Sequence, residues 1–416
     1  MTSIESAAVI GLGYIGLPTA AILATNGVNV VGVDVNAATV DAVNRGEVPF
    51  VEPDLGVHVA GAVSQGLLKA TTDTPAAQAY IVAVPTPFRD DKSADLSFIE
   101  AAARGIAPQL RGGELVILES TSPPRATRHL ANYILTLRPD LSIDGSGGAP
   151  VIHVAHCPER VLPGRVMIEL VTNDRIVGGL TPTAAALAKD LYAVFCKGEI
   201  LVTDDVTAEM AKLVENSYRD VNIAFANELS VISDKLSIDV WELIRLANHH
   251  PRVNILNPGP GVGGHCIAVD PWFIVAAAPE ESTLIRTARE VNDSKPGWVV
   301  TKVLAAVESL PADAEIAVLG LAFKANIDDL RESPAIDIAR EVSLALKDHR
   351  INIAEPHVPK LPDSLVGLDN VALLEPTTAV KRSSVVVLLV DHEAFRPLAS
   401  MVAGKSLVDS RGFFAS

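Results

Sequence analysis

The sequence predicts an α/β protein in which two Rossmann-like, doubly wound parallel-sheet domains are joined by a central helical domain. Three observations indicate it: apolar strands alternate with helical stretches in the first half, a long helical pattern follows, and a second strand–loop unit begins near Ala314. A chain of 416 residues exceeds the size at which a single core keeps growing. We therefore expect three domains, at residues 1–202, 203–305 and 306–416.

The composition narrows the class of protein. Hydrophobic residues make up 49% of the chain and aromatic residues 4%, and abundant Ala and Val suit parallel strands covered by helices. A net charge of −16 argues against a nucleic-acid partner, because no basic stripe stands out to neutralise phosphates. Three widely spaced cysteines make no disulfide framework and the first residues lack a basic secretion signal, so we expect a cytoplasmic protein.

One uncharged stretch, Ala7–Val33, spans 27 residues and is long enough to cross a bilayer. Five glycines, a proline and two asparagines divide it into a strand, a turn, a helix and a second strand. We therefore predict a buried βαβ unit and no membrane insertion.

A dinucleotide-binding fingerprint lies inside that unit. Gly11-Leu-Gly-Tyr-Ile-Gly16 follows an apolar strand and precedes a helix, and Asp34 comes 18 positions after the last glycine. Asp34 would bind the ribose hydroxyls and repel a 2′-phosphate, which favours NAD over NADP; the alternative is a purely structural glycine turn. The predicted cofactor contacts in the loop are Gly11, Gly13, Tyr14, Ile15 and Gly16.

Further strands are predicted at Tyr80–Val84, Leu115–Glu119 and Val151–Ala155. Ligands of such sheets bind at the carboxyl ends of the strands. The loops there contain three candidates for the nicotinamide end, although ordinary turn chemistry would explain any single one: Thr86, Thr121 and Glu159.

The middle of the chain, from Thr203 to about Leu236, is one long helical pattern. Lys212 and Asn216 are four residues apart and so project from one face. A lysine on a helix is usually a solvated surface charge, but in a helix that links two domains this pair can point into the cleft between them. Another helix is predicted from Trp241 to His250.

A glycine-rich loop, Pro258–Phe273, contains Cys266 and, four residues later, Asp270. Its glycines let the backbone take positive φ and let a ligand approach, which predicts that the thiol lies at the start of a helix. A helix N-terminus lowers a cysteine pKa that would otherwise be about 8.5 and makes the sulfur nucleophilic. The alternative is a small buried cysteine in a tight turn.

The last part of the chain partly repeats the first. Strands are predicted at Ala314–Gly320, Ile351–Glu355, Val385–Val390 and Ser406–Val408, without the glycine fingerprint. Basic residues follow the strands instead, which suits a diphosphate other than NAD, although surface ion pairs would also explain them: Lys324, Arg331 and Arg411.

A nucleophilic thiol beside a dinucleotide site indicates oxidation beyond an aldehyde. The thiol adds to the aldehyde, loss of hydride gives a thioester and water releases a carboxylate. Lys212 and Asn216 could stabilise the oxyanion and Asp270 could order water. The alternatives are a dehydrogenase that makes one hydride transfer and a dinucleotide-sensing regulator. No metal site is expected, because His265 and Cys266 are adjacent and the other cysteines lack ligand spacing.

The sequence resembles the UDP-glucose/GDP-mannose dehydrogenase family over nearly its whole length. The motifs that carry the resemblance are Gly11-Leu-Gly-Tyr-Ile-Gly-Leu-Pro18, Val84-Pro-Thr-Pro87, Cys157-Pro-Glu159, Ala208-Glu-Met-Ala-Lys-Leu-Val-Glu-Asn216, Gly263-Gly-His-Cys266, Gly320-Leu-Ala-Phe-Lys324 and Arg331-Glu-Ser-Pro334. The resemblance implies an NAD-binding domain, a central helical dimerisation domain and a UDP-binding domain, in a homodimer that oxidises a UDP-sugar.

The resemblance also implies roles for single residues. Cys266 would be the covalent nucleophile, Lys212 the acid/base or oxyanion residue and Asn216 its partner, while Asp270 and Thr121 would hold the water. Further contacts implied in this way are Arg252 with the substrate of the neighbouring subunit, Phe323, Lys324 and Arg411 with the nucleotide, and Arg331 near the NAD.

Two departures narrow the substrate. UDP-glucose enzymes usually have a lysine and a glutamate where this chain has Val269 and Pro163. The segments Pro158–Gly164 and Gly264–Phe273 look instead like those of UDP-N-acetyl-D-mannosamine dehydrogenases. That branch implies a sugar–nucleotide site that includes Arg160, Val161, Arg219, His250 and Gly263. UDP-N-acetylglucosamine and UDP-glucose remain the alternative substrates.

Overall fold

A computed structural model describes residues 4–89, 91–162, 164–264, 266–311 and 313–414. His265 and Pro163 of the sequence arguments lie outside these ranges. The described chain divides into two compact units, with the boundary between Glu215 and Asn216.

The first unit is built on a sheet that, in the described part of the chain, has eight strands in the order β3-β2-β1-β4-β5-β6-β7-β8. The strands are β1 (Ser6–Ile10), β2 (Asn29–Val33), β3 (Leu68–Thr71), β4 (Ala79–Val82), β5 (Leu115–Leu118), β6 (His153–His156), β7 (Arg175–Gly179) and β8 (Ile200–Asp204). The order reverses between β1 and β4, as in a doubly wound dinucleotide-binding fold. The predicted βαβ unit at Ala7–Val33 is confirmed.

Helices cover both faces of this sheet. Successive residues of β1 alternate between two apolar cores: Ala7 and Val9 pack on one side, and Ala8 and Ile10 on the other. The helices of the unit are α1 (Gly16–Thr25), α2 (Ala37–Asn44), α3 (Leu55–Ser64), α4 (Ser97–Ile106), α5 (Ala126–Leu137), α6 (Val166–Thr172) and α7 (Pro182–Tyr192), with 3-10 turns at Ala107–Gln109 and Ser146–Gly148.

One pair of strands departs from the parallel arrangement of the first sheet. β6 and β7 are antiparallel, with Ala155 opposite Gly179. The seven-residue α6 between them does not carry the chain back to the other end of the sheet. β7 therefore begins at the end of the sheet where β6 finishes, and runs antiparallel to it.

A long helix, α8 (Asp205–Lys235), crosses the boundary between the two units. The second unit continues with α9 (Val240–Ala247), α10 (Asp270–Ala277) and α11 (Thr283–Val307). The helical middle of the chain is therefore confirmed.

The second unit ends in a parallel sheet whose described strands have the order β11-β10-β9-β12-β13. This order repeats the first five positions of the other sheet, so the two-sheet Rossmann-like prediction is confirmed. Its elements are β9 (Ile316–Leu319), α12 (Pro334–Ala345), β10 (Ile351–Ala354), β11 (Val371–Leu373), α13 (Pro376–Arg382), β12 (Val385–Leu388), a 3-10 turn (Glu393–Leu398), α14 (Ala399–Val402) and β13 (Ser406–Asp409).

No helix within the described residues is both long enough and apolar enough to cross a bilayer. Those residues also contain no group of three or more His, Cys, Asp or Glu side chains arranged to hold a metal ion.

Candidate active site

The glycine loop after β1 has the geometry of a pyrophosphate cradle. Gly11 has φ +95°, and a Cβ there would lie 2.5 Å from the carbonyl oxygen of Ala83. A Cβ on Gly16 would lie 1.8 Å from the oxygen of Gly11, so this position packs helix against strand. An added Cβ on Gly13 would meet no described atom within 4 Å, which leaves open space beside the backbone. No described side chain caps the first turn of α1, so its N–H groups can bind an anion.

Asp34 lies at the carboxyl end of β2 and is held by the backbone. Its Oδ2 accepts a hydrogen bond from the Leu12 N–H (2.9 Å), and its Oδ1 accepts one from the Asn36 N–H (2.8 Å). These bonds fix the carboxylate while leaving lone pairs for ribose hydroxyls. Tyr14 is partly exposed and stacks on Phe50, with ring centroids 4.3 Å apart. The residues present therefore fit NAD.

The predicted nicotinamide-side residues meet at the carboxyl edge of the first sheet. Thr86, Thr121 and Glu159 follow β4, β5 and β6, which are neighbours in the sheet. Thr86 is buried, and its hydroxyl has no hydrogen-bond partner among the described residues. A buried hydroxyl without a partner at this edge suits a ligand amide.

Glu159 belongs to a buried ionic cluster that sequence reasoning missed. The guanidinium of Arg175 lies 3.1 Å from the carboxylate of Glu159 and 3.8 Å from that of Glu119. The hydroxyl of Tyr192 donates to Glu119 at 3.1 Å. Glu159 also accepts a hydrogen bond from the Arg160 N–H at 2.6 Å. The cluster thus fixes the carboxylate and the turn that follows β6.

Burial sets the protonation of this cluster. The pKa of Glu119 is raised to about 8: loss of solvent is the largest cause, the neighbouring Glu159 adds to it, and Arg175 opposes it. Burial likewise raises the pKa of the Cys157 thiol to about 12. Cys157 is therefore a neutral thiol near pH 7.

Arg160 is held at the surface of the first unit. Its guanidinium pairs with Glu215 of α8 at 2.5 Å and donates to the carbonyl oxygen of Asp174 at 3.1 Å. The next residue, Val161, packs against the apolar core that contains α1. Both predicted substrate residues are thus on one ordered turn.

The structure corrects the expected position of the cysteine. Cys266 does not lie in the first turn of a helix: it begins a turn that precedes α10, and its carbonyl oxygen accepts hydrogen bonds from Val269 N (3.0 Å) and Asp270 N (2.8 Å). The helix starts at Asp270 because Pro271 occupies its beginning, where a missing N–H costs nothing. Cys266 is exposed, which excludes the buried-cysteine alternative.

Asn216 and Asp270 are brought together in the second unit. The Asn216 amide Nδ2 donates to the Asp270 carboxylate at 2.5 Å. Asp270 is buried, with 3% of its surface exposed, so this bond holds an ordered carboxylate four residues from the exposed thiol. Lys212 is half-buried one turn earlier on α8.

The loop glycines allow the cysteine loop to pack closely against another segment of the protein. A Cβ on Gly263 would lie 2.4 Å from the oxygen of Glu332, and one on Gly264 would lie 2.9 Å from the Phe323 ring. The Gly264 N–H donates to the Arg331 oxygen at 3.3 Å. The backbone of the cysteine loop therefore rests directly on the segment between β9 and α12.

A concave surface lies beside this contact. Its lining includes Pro260, Phe323, Lys324 and Arg411. Arg411 donates to Asp391 at 3.0 Å, and its guanidinium is 2.7 Å from where a Cβ on Gly259 would be. Two cations beside an aromatic ring suit a nucleoside diphosphate.

Four other predicted residues are exposed. Arg331 pairs with Asp329 at 2.6 Å. Arg219 is on α8, and His250 and Arg252 follow α9, where the Arg252 N–H donates to His250 at 3.4 Å. Of these four, Arg331 is linked to the cysteine loop through its backbone oxygen, which accepts the Gly264 N–H.

The second sheet has an acidic residue at the position that Asp34 occupies in the first, but this residue is buried and hydrogen-bonded to the protein. Glu355 follows β10 as Asp34 follows β2, and its Oε2 accepts the Leu321 and Ala322 N–H groups at 2.7 and 3.1 Å. His392 lies 3.2 Å from the same oxygen, and both side chains are fully buried. A ribose therefore cannot reach Glu355.

Comparison with known proteins agrees with this geometry. Three domain profiles of the UDP-glucose/GDP-mannose dehydrogenase family match the chain: the NAD binding domain at residues 5–196, the central domain at 206–294 and the UDP binding domain at 317–416. An NDP-N-acetyl-D-galactosaminuronic acid dehydrogenase of Ralstonia nicotianae is 55% identical over 410 residues, which cover 98% of this chain and 96% of the relative.

Two further relatives extend the comparison. The UDP-N-acetyl-D-mannosamine dehydrogenase of Salmonella typhi is 53% identical over 419 residues, with 99% of both chains covered. The solved structure of a UDP-D-ManNAc dehydrogenase from Pyrococcus horikoshii is 38% identical, with a TM-score of 0.86 and coverage of 98% of this chain and 96% of the other.

The fold and the cofactor loop define an NAD-dependent oxidoreductase that carries a second, nucleotide-binding Rossmann-like unit. The chain belongs to the UDP-glucose/GDP-mannose dehydrogenase family.

Proposed function

We propose that this enzyme oxidises the C6 hydroxyl of UDP-N-acetyl-D-mannosamine to the carboxylate of UDP-N-acetyl-D-mannosaminuronate. The observation that carries the proposal is the second-unit arrangement of an exposed Cys266, an Asn216–Asp270 hydrogen bond and a loop packed beside a Lys324 and Arg411 surface. A nucleophilic thiol there suits the further oxidation of an aldehyde through a thiohemiacetal.

The chemistry requires two equivalents of cofactor. The Gly11–Gly16 loop and Asp34 would hold NAD⁺, which would supply the hydride acceptor for each of the two oxidations. The first oxidation converts the alcohol to an aldehyde with release of a proton. The Cys266 sulfur then bonds to the aldehyde carbon, and the oxygen takes a proton to give a thiohemiacetal. Loss of hydride from that carbon and of the hydroxyl proton gives a thioester. Water adds, the C–S bond breaks, and the thiol is regenerated with the acid.

The flanking side chains would assist these steps. Lys212 would move the proton of the alcohol, and together with Asn216 it would stabilise the negative oxygen of each tetrahedral stage. The Asn216–Asp270 bond supports an ordered Asp270 that positions water, with Thr121 and Glu159 assisting. The Arg175 guanidinium, 3.1 Å away, holds the Glu159 carboxylate in one position.

The substrate would be held by several contacts. Lys324 and Arg411 would bind the diphosphate, and Phe323 would stack on the base. Arg160, Val161, Arg219, His250, Arg252 and Gly263 would complete the sugar–nucleotide site, with Arg331 near the NAD. A second candidate substrate is the corresponding N-acetyl-D-galactosamine nucleotide, because a relative of 55% identity is named for N-acetyl-D-galactosaminuronic acid.

We also propose a three-part organisation, at residues 1–202, 203–305 and 306–416, in a cytoplasmic homodimer. Apolar side chains of α8 that are half or more exposed support a helical interface: Tyr218 at 73% and Phe225 at 50%. The three cysteines are widely spaced in the sequence and make no disulfide framework, which supports a reducing compartment.

The test is NADH formation with a panel of UDP-sugars: N-acetylmannosamine, N-acetylgalactosamine, N-acetylglucosamine and glucose. We expect kcat/KM for UDP-N-acetylmannosamine to exceed that for UDP-glucose by at least about 100-fold. Highest activity with UDP-N-acetylgalactosamine would favour the second candidate. Activity on UDP-glucose alone would contradict both.

A further inference from the structure

A buried chain of hydrogen bonds runs through the second unit and ends on the cysteine loop. The Gly259 N–H donates to Asn227 Oδ1 on α8, and Asn227 Nδ2 donates to Asn292 Oδ1 on α11, each at 2.8 Å. Asn292 Nδ2 then donates to Asp220 Oδ1 on α8, also at 2.8 Å. Asn227, Asn292 and Asp220 are all within 1% of complete burial.

The groups at the two ends of this hydrogen-bond chain fix the orientation of each amide between them. Gly259 can offer only a backbone N–H, so Asn227 must present its oxygen there. At the other end the Asp220 carboxylate can only accept, and the buried guanidinium of Arg289 donates to it at 2.6 Å. Each amide between these ends therefore has one satisfied orientation. Two buried amides are costly unless they are satisfied in this way.

The residues that hold the cysteine segment share one face of α8. Asp220 comes four residues after Asn216, and Asn227 comes seven residues after Asp220. These spacings are about one turn and two turns of helix. Asn216 binds Asp270, and Asn227 binds Gly259. The two asparagines are about 16 Å apart along the helix axis. A single helix face thus holds both ends of the segment 259–270, with Cys266 between them.

We propose that Asn227 and Asn292 are positioning residues for Cys266: they fix the start of its loop to α8 and α11 so that the thiol is presented in one geometry. The inference rests on the proposed role of Cys266 and extends it to residues that touch neither substrate nor cofactor. An apolar residue at position 227 could not bind the Gly259 N–H, and one at position 292 would leave the Asn227 amide without its acceptor.

The test compares two buried asparagines of the same unit. Asn227→Leu breaks the chain, whereas Asn352→Leu removes an equally buried amide that contacts Glu315 and Ser383 instead of the loop. We expect Asn227→Leu to speed amide hydrogen exchange in the peptide 255–264 and to lower kcat about 10- to 100-fold. Its KM for NAD should stay within about twofold of the wild-type value, since the cofactor loop lies in the first unit. Asn352→Leu should change neither the exchange nor kcat, once rates are normalised to folded protein. Equal kcat in the two variants, or faster exchange in Asn227→Leu without loss of kcat, would overturn the proposal.

A second variant covers the case in which Asn227→Leu does not fold. Asn227→Asp keeps the shape: its protonated form offers one acceptor to Gly259 and one donor to Asn292, whereas its charged form has no donor. The charged groups linked to this position are Asp220, Arg289 and Asp293, together with Lys295, whose amine donates to Ser230 on α8. The kcat of Asn227→Asp relative to wild type should therefore fall as pH rises. A ratio that is flat with pH would contradict the proposal.

The outcomes separate this inference from the proposed function. Wild-type enzyme that turns over no UDP-sugar, with exchange that still rises only in Asn227→Leu, would refute the function and support the anchoring of the loop. Wild-type enzyme that is active, with no difference between the leucine variants, would refute the inference alone.

Discussion

Replacing Glu119 with glutamine should stabilise the first unit, and by more as pH rises. Glu119 is fully buried, and its burial raises the carboxyl pKa from 4.5 to about 8. Below pH 4.5 the group is protonated in both the folded and the unfolded chain. Between pH 4.5 and 8 the unfolded chain loses the proton while the folded chain keeps it, so wild-type stability falls as pH rises through this range. Glutamine resembles the protonated acid and does not titrate.

The size of the effect follows from the shift. Each pKa unit corresponds to about 1.4 kcal/mol. At pH 7 the unfolded carboxyl is ionised and the folded one is protonated, which gives a difference of about 3 kcal/mol between variant and wild type. Above pH 8 the carboxyl is ionised in both states, so the difference should level off at about 5 kcal/mol. This value is an upper limit, because the Tyr192 hydroxyl and Arg175 can reorient around the charged form.

The assay must report on the first unit by itself. All three tryptophans, Trp241, Trp272 and Trp298, lie in the second unit, so tryptophan fluorescence reports on the wrong part of the chain. We would compare hydrogen exchange of the β5 amides in wild type and Glu119→Gln in denaturant at pH 5, 6, 7 and 8. Glu47→Gln is the control, because Glu47 is exposed and its pKa is lowered by its hydrogen bond with Arg45. A Glu119→Gln difference that is constant or shrinks with pH would refute the reasoning.

Other variants test the remaining contacts. Asp34→Asn should shift kcat/KM from NAD toward NADP by about tenfold or more, because it removes the charge that repels a 2′-phosphate; an unchanged preference would contradict the cofactor assignment. Arg175→Met should destabilise the first unit by about 3 to 5 kcal/mol in chemical unfolding, because it leaves Glu159 buried and unpaired, and a loss below about 1 kcal/mol would be inconsistent with this. Arg160→Ala should raise the KM for the UDP-sugar about tenfold or more without changing that for NAD. Unchanged KM values in steady-state kinetics would remove Arg160 from the substrate site. Cys266→Ser should be unable to complete the second oxidation, and normal steady turnover would contradict the covalent route.

The sequence was sufficient wherever local chemistry fixes the backbone. Gly11 is predictable because its φ of +95° is available to few other residues, and Asp34 because it ends a strand at a fixed distance from the glycines. Two strands lack a comparable signal in the sequence. β8 is largely exposed and shows no alternation of apolar and polar residues, and β3 is short, so the sequence predicts neither strand.

Long-range contacts account for what the sequence could not predict. Arg175 resembles any arginine before an apolar strand, and only the pairing of β5, β6 and β7 brings it to Glu119 and Glu159. The glycines around Cys266 predict a helix start because they resemble a ligand-binding turn. In the fold those glycines are crowded by Phe323 and its neighbours. A glycine pattern alone does not distinguish a bound ligand from a second protein segment.

The most direct test of the central claim is the ratio of NADH formed to uronic acid formed in a single reaction of the wild-type enzyme with UDP-N-acetylmannosamine. Two NADH for each acid, with the acyl group recovered on Cys266 after a rapid acid quench, is the result that the covalent four-electron route predicts. One NADH for each product, with the aldehyde released and Cys266 unmodified, would contradict it.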